Sequence, residues 1–225
     1  MDKRLTARLY RRFLHKYFLN DLYFDLRLAA KAEAVAYIQT HMTDAMMFRD
    51  RFEQLAYAAK HISVSGLILE FGVEKGASLR LLAKESGQTV HGFDSFQGLP
   101  ADWTGTYETK GKFSLGGRAP KMPENAQLHQ GWFEDSLPGF LESHTEPVAL
   151  LHVDCDIYAS AKTVFDKLGE RIVPGTIIVF DEYFNYPNWR QHEFKAFQEF
   201  IELSRARYRY IGFSTEKGHV AIQID

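Results

Sequence analysis

The sequence predicts an α/β fold: a mostly parallel sheet with helices on both faces, a closing antiparallel hairpin, and a helical segment in front. Three observations predict it. From residue 66 onward, apolar runs at 67–71, 89–93, 126–129, 148–153 and 176–180 alternate with helical or connecting stretches. Short apolar runs of this kind, with helices or crossovers between them, argue a parallel sheet covered on both faces. The first run passes through a glycine turn, Gly72 and Gly76, straight into a helical pattern at 77–84, the arrangement that opens a nucleotide-type site at a sheet edge. The last runs, 208–213 and 219–224, are joined by a short turn with Gly218 and read as a hairpin.

In chain order, residues 1–62 read as helical throughout; the alanine-rich stretch 29–40 and the stretch 44–61 hold neither glycine nor proline. The first twenty residues carry Lys3, Arg4, Arg8, Arg11, Arg12 and Lys16 against Asp2, with Leu5, Leu9, Phe13 and Phe18 at roughly helical spacing. A basic amphipathic helix can lie on a membrane, but one short segment better fits a helix packed on its own domain or on a second subunit. Residues 1–62 are therefore expected to form a helical extension that caps the site or builds a homo-oligomer, and residues 63–225 the ligand-binding domain. The stretch 102–123, rich in Gly, Lys and Pro, is a long connection of the kind that forms lids and binding loops.

Bulk properties narrow the class. A chain of 225 residues, 45% hydrophobic and 25% charged, suits one core. A net charge of −2 gives no reason for a nucleic-acid partner. The single Cys155 excludes an internal disulfide and a cysteine-built zinc site and fits a reducing cytoplasm. No run reaches membrane-spanning length, and the N-terminus lacks the apolar core of a secretory signal, so a cytoplasmic location is expected.

Four blocks carry the chemistry. In the first, Glu70 is a carboxylate at a strand end, Gly72 allows close approach of backbone to ligand, and Gly76 allows close strand–helix packing. In the second, Asp94 lies 22 positions past Gly72, where an acid can accept both hydroxyl hydrogens of an adenosine ribose, or else cap the following turn. The third is Gly131-Trp132-Phe133-Glu134-Asp135: the aromatics can cover an adenine face while Asp135 bonds its edge, or they can be core. In the fourth, Asp154 and Asp156 end one run, and Asp181 and Glu182 end the next. Carboxylates converging at neighbouring strand ends repel one another unless protonated or neutralised. A hard cation such as Mg²⁺ suits them; the alternative is helix caps and basic partners.

Together, Glu70 to Gly76, Asp94-Ser-Phe-Gln-Gly98, Gly131 to Asp135, and Asp154 to Ser160 with Pro174-Gly175 and Asp181-Glu182 resemble the class I S-adenosylmethionine-dependent methyltransferases. More narrowly, they resemble the macrocin O-methyltransferase family, over about residues 60–225. The resemblance implies a Rossmann-like, seven-stranded sheet ending in a hairpin, and methyl transfer to a hydroxyl of a sugar or natural-product acceptor. It implies that Glu70, Gly72 and Gly76 line the methionine and ribose end of the cofactor site, with Asp94 and Ser95 at the ribose and Trp132 and Asp135 near the adenine. It implies Mg²⁺ on Asp154, Asp181 and Glu182, where the family pattern has Asp-Asp in place of Asp181-Glu182. The family's catalytic histidine has no counterpart in residues 101–121, which leaves His192, with His129 and His152 as fallbacks, as candidate bases beside Asp154. Two other classes stay open. One is a nicotinamide-dependent oxidoreductase, disfavoured because Val73-Glu74-Lys75 follows Gly72 where G-x-G-x-x-G needs glycine. The other is a non-catalytic adenosyl-binding protein.

Overall fold

The computed structural model describes residues 8–10, 12, 14 and 21–225. The expected basic helix over the first twenty residues therefore falls almost wholly outside the described residues. Helix α1, Leu22–His41, starts at Asp21, whose carboxylate accepts from the Tyr23 amide. Helix α2, Arg51–Lys60, starts in the same way at Asp50, which accepts from the amides of Phe52 and Glu53. Between them runs β1, Met46–Phe48. Residues 1–62 are thus not helical throughout: β1 joins the far edge of the sheet, parallel to the strand Tyr208–Ser214.

The rest of the chain alternates as the apolar runs require. Strand β2 is Leu67–Phe71, α3 Ala77–Ser86, β3 Val90–Asp94 and β4 Ala126–Gln130. Next come α4 Phe133–Ser143, β5 Val148–Val153, α5 Tyr158–Leu168 and β6 Ile172–Phe180. The chain ends with α6 Glu193–Ser204, β7 Tyr208–Ser214 and β8 Val220–Ile224. The sheet has eight strands, one more than expected, in the order β1-β7-β8-β6-β5-β2-β3-β4. The additional one is β1. Only β8 runs antiparallel, pairing with β6 and β7.

Strand periodicity divides the core into two layers. On β2, Leu67, Leu69 and Phe71 face a cluster that includes Leu137 of α4, Phe165 of α5, Phe197 of α6 and Ala30 and Ala34 of α1. Ile68 faces the opposite cluster, with Leu55 of α2 and Leu79 and Leu82 of α3. Strands β2 and β5 are buried along their whole length. The chain leaves β2 towards β3 and β4 on one side and later returns to β5 and β6 on the other. The carboxyl ends of β2 and β5 therefore flank a topological switch point, where open α/β sheets bind ligands.

Candidate active site

A cavity of about 820 Å³ opens at that switch point. Its floor is the glycine turn. Gly72 has φ +93°, and a Cβ there would stand 1.6 Å from the Asp154 carbonyl oxygen. Only a residue without a side chain lets the β2 and β5 ends approach this closely. Gly76 begins α3 at φ +76°, and its N–H donates to the Val73 carbonyl at 2.7 Å. The Asp94 carboxylate ties this turn to the next: Oδ2 accepts from the amides of Val73 and Glu74, both at 2.8 Å, and Oδ1 from Phe96 at 2.6 Å. The structure thus realises the capping alternative for Asp94 while leaving the residue on the cavity wall. Ser95 beside it lines the cavity and accepts from the Gln97 amide.

Other expected cofactor residues divide between cavity and core. Gly72, Gly76 and Trp132 line the cavity, joined by Phe133 and Glu134. Asp135 does not: it lies one position further into the first turn of α4, exposed and directed elsewhere. Glu70 is also off the cavity wall. It is fully buried, and its Oε2 meets His152 Nδ1 at 2.9 Å. Burial raises its pKa, and the bond to His152 opposes the rise. Period-2 alternation explains the placement, because Glu70 shares a strand face with Ile68, directed at the layer of α2 and α3.

The acids do converge. Asp154, Asp156, Asp181 and Glu182 all line the cavity. Two sets could hold a cation, each with one ligand atom per residue and all atoms within 4.8 Å: His152, Asp154 and Asp181, or Asp154, Asp156 and Glu182. They differ in what already neutralises them. Asp181 Oδ2 meets Arg51 Nη1 at 2.8 Å, and Asp154 Oδ2 lies 4.0 Å from the same nitrogen. His219 stands 3.1 Å from Asp181 Oδ1, at ion-pair distance but off-line for a hydrogen bond. Burial alone would raise the Asp181 carboxyl, but His219 and Arg51 outweigh it and hold it below the usual carboxylate range. In the other set Asp154 has only the 4.0 Å contact to Arg51, and Asp156 and Glu182 have no ion-pair partner among the described residues. Burial and the Asp181 charge push Asp156 up to about 7. Burial, then Asp181, also raises Asp154 and Glu182. Glu182 Oε2 is buried without a hydrogen-bond partner among the described residues. The expected grouping of Asp154, Asp181 and Glu182 is therefore split, with Asp181 drawn towards Arg51 and Asp156 taking its place beside Asp154 and Glu182.

None of the described histidines lines the cavity. His192 is buried, its Nε2 2.8 Å from the Thr104 carbonyl oxygen and its Nδ1 without a hydrogen-bond partner among the described residues. It anchors the long 102–123 connection instead of reaching the acids. His152 belongs to Glu70. His129 stacks on Phe93 and meets His91 at 3.1 Å, in a histidine cluster against Phe140. Cys155 is buried, and burial followed by the Glu193 charge pushes its thiol up, so it is no nucleophile.

Four contributors escaped the sequence reading. Arg51 reaches the acids from the start of α2, 130 positions before Asp181. Tyr23 and Arg27 of α1 line the cavity mouth. Glu193 opens α6 and accepts from the amides of Cys155, Asp156 and Glu182. The sequence reading ran one helical stretch through 44–61, and nothing in it points to a partner of Arg51 so far along the chain.

A family model described as "Methyltransferase domain" matches residues 69–183, from β2 past the end of β6. A curated relative, the 8-demethyl-8-(2,3-dimethoxy-alpha-L-rhamnosyl)-tetracenomycin-C 4'-O-methyltransferase of Streptomyces olivaceus, is 24% identical over 159 residues, covering 59% of this chain. The match spans about 60% of that relative's length. Among solved structures, the calicheamicin methyltransferase CalS11 superposes with a TM-score of 0.63 at 21% identity, covering 99% of this chain and 94% of that one. The O-methyltransferase NovP does so with a TM-score of 0.58 at 22% identity, covering 77% and 78%. Both establish the fold. The match covers the glycine turn, Asp94 and all four strand-end acids, in agreement with the resemblance drawn from the sequence and not with a nicotinamide-binding turn. By this match the chain belongs to the methyltransferase-domain family.

Proposed function

We propose that the protein transfers the methyl group of S-adenosylmethionine to a hydroxyl oxygen of a small-molecule acceptor, of the sugar or natural-product class. The observation that carries this reading is one cavity bounded at one end by the glycine turn, Asp94 and Trp132, and at the other by strand-end carboxylates. The first end suits an adenosyl group and its amino-acid tail. The second suits a hydroxyl that must lose a proton. The relative's 4'-O-methyltransferase name supports the acceptor class.

The chain's contribution is mainly positioning, which supplies a large part of the acceleration in transfers between two bound partners. Gly72 brings the cofactor turn against the Asp154 backbone, so donor and acceptor ends share a wall. Trp103, Thr106 and Glu108 of the long connection, with Tyr23 and Arg27 of α1, enclose the acceptor end and exclude water. In this reading residues 1–62 act as a cap over the domain of residues 63–225, and exposed Leu22, Leu26 and Val35 of α1 are the surface for self-association. One of the cluster carboxylates takes the acceptor's proton.

The acid cluster fits a divalent cation of the Mg²⁺ class: Asp154, Asp156 and Glu182 offer converging oxygens, and Glu182 Oε2 lacks any other partner among the described residues. When bound, such a cation lowers the pKa of a coordinated hydroxyl.

Calorimetric titration with S-adenosylmethionine, S-adenosylhomocysteine and NAD, each with and without Mg²⁺, tests the reading. Binding of both adenosyl ligands but not NAD is expected, followed by methyl transfer in a screen of glycosides and polyols. Binding of NAD alone, or of no ligand, overturns it.

A further inference from the structure

We infer that Glu193 is the positioning residue that holds the cation-binding acids in place, an inference that rests on the cation reading proposed above. Glu193 is fully buried at the first position of α6. Its Oε1 accepts from the amides of Cys155 at 3.1 Å and Asp156 at 3.0 Å. Its Oε2 accepts from the amide of Glu182 at 3.3 Å. One side chain thus clasps the loop after β5 and the loop after β6, the two loops that carry Asp154, Asp156 and Glu182.

The clasp acts on backbone that would not otherwise hold its shape. Asp156 sits at φ +66°, a left-handed conformation that side-chain-bearing residues adopt at some cost. The Asp156 amide bond to Glu193 fixes that conformation, and with it the direction in which the Asp156 carboxylate leaves the chain. The Glu182 amide bond does the same for the neighbouring strand end. No other residue type does this equally well. A glutamine offers an acceptor at one end only and would turn an N–H towards the remaining amide.

The choice of an acid is also informative. Placing a further buried carboxylate beside Asp154, Asp156 and Glu182 adds repulsion to a site already crowded with negative charge. The clasp needs acceptor oxygens at both ends of the side chain, and that need outweighs the repulsion. The two acceptor oxygens of Glu193 set ligand geometry, as outer-shell carboxylates do around bound metals.

The test compares wild type with Glu193→Gln. Mn²⁺ serves as the cation probe, read by electron paramagnetic resonance, and S-adenosylhomocysteine affinity is read by calorimetry. The expected result is Mn²⁺ affinity lowered roughly 10–100-fold with S-adenosylhomocysteine affinity unchanged. Equal Mn²⁺ affinity in the two proteins overturns the inference. Parallel loss of both ligands overturns it as well, since Glu193 would then serve the fold and not the acids. Failure of wild type to bind Mn²⁺ removes the cation reading and this inference together, an outcome separate from the other two. Wild type offers a check if the variant does not fold. Amide exchange at Cys155, Asp156 and Glu182 should slow together on adding Mg²⁺, and independent responses overturn the inference.

Discussion

At the scale of single residues, Gly72 and His91 show how little tolerance the core leaves. Alanine at position 72 would need both φ near +93° and room for a Cβ that stands 1.6 Å from the Asp154 carbonyl. The conformational strain alone costs about 1–3 kcal/mol. Gly72→Ala should therefore lower urea-unfolding stability by at least about 2 kcal/mol and abolish S-adenosylhomocysteine binding. His91 is held neutral: burial, then His129 and His144, bring its pKa from 6.5 to about 4, with Glu146 opposing. The folded chain binds this proton less readily than the unfolded chain. Its contribution is therefore complete above pH 6.5 and drains away as pH falls towards 4. After allowance for partial solvent access, on the order of 2 kcal/mol is involved. The raised acids of the site push stability the other way as pH falls, so the comparison must be differential. His91→Asn should lose less stability than wild type between neutral and mildly acidic pH in urea titrations. Asp94 was legible in the sequence because its place on the cavity wall goes with a fixed offset from the glycine turn. Arg51 was not, since an ion pair across 130 positions leaves no local pattern. His192 misled because chain proximity to Asp181 says nothing of where a ring points, and its Nε2 faces Thr104.

At the scale of elements, helix α1 is fastened to the domain by tyrosines. Tyr37 OH lies 2.6 Å from Tyr210 OH of β7, which lies 2.8 Å from Tyr183 OH. The Tyr37 ring also stands edge-on to Trp189 and Phe194. Removing one hydroxyl from such a network leaves a partly buried partner unsatisfied, at about 1–2 kcal/mol. Tyr37→Phe should speed amide exchange along Leu22–His41 while leaving β2 and β5 protected, as hydrogen-exchange mass spectrometry would show. The central strands β2, β5 and β6 were readable because each is a largely apolar run between helical stretches. Strand β1 was not. Met46 and Met47 are exposed and Phe48 half-buried, so there is no alternation to detect, and the strand exists only because β7 offers it an edge. The hairpin of β7 and β8 was readable from its turn and flanking aromatics, as the register between Tyr208 and Ile224 bears out.

At the scale of the whole molecule, ligand binding and folding are one equilibrium. The cavity is bounded by β2, β3, β5 and β6 ends together with α1, α4 and the long connection, so a ligand that fills it holds most of the domain. S-adenosylhomocysteine at a hundredfold excess over its Kd should add about 2.7 kcal/mol to unfolding stability. Thermal melts across a concentration series check this, and a midpoint independent of ligand would refute the assigned site. The mostly parallel sheet and its closing hairpin followed from the sequence, whereas the strand order is seen only in the structure. The acceptor's identity did not follow, because the surface that meets it comes from α1 and the 102–123 connection, whose side chains no short-range rule positions. Gly72 gives this division a further meaning. Backbone bonds lace the strand ends: the Gly72 N–H donates to the Phe93 carbonyl at 3.0 Å, Asp154 to Phe71 at 2.9 Å, and Asp181 to Val153 at 3.0 Å. Much of the spacing between the two ends of the cavity is therefore set by main-chain atoms, which surface substitutions do not alter. Loops above that frame are free to diversify, so a lineage built on it can change what it modifies while the reach of the transfer stays constant.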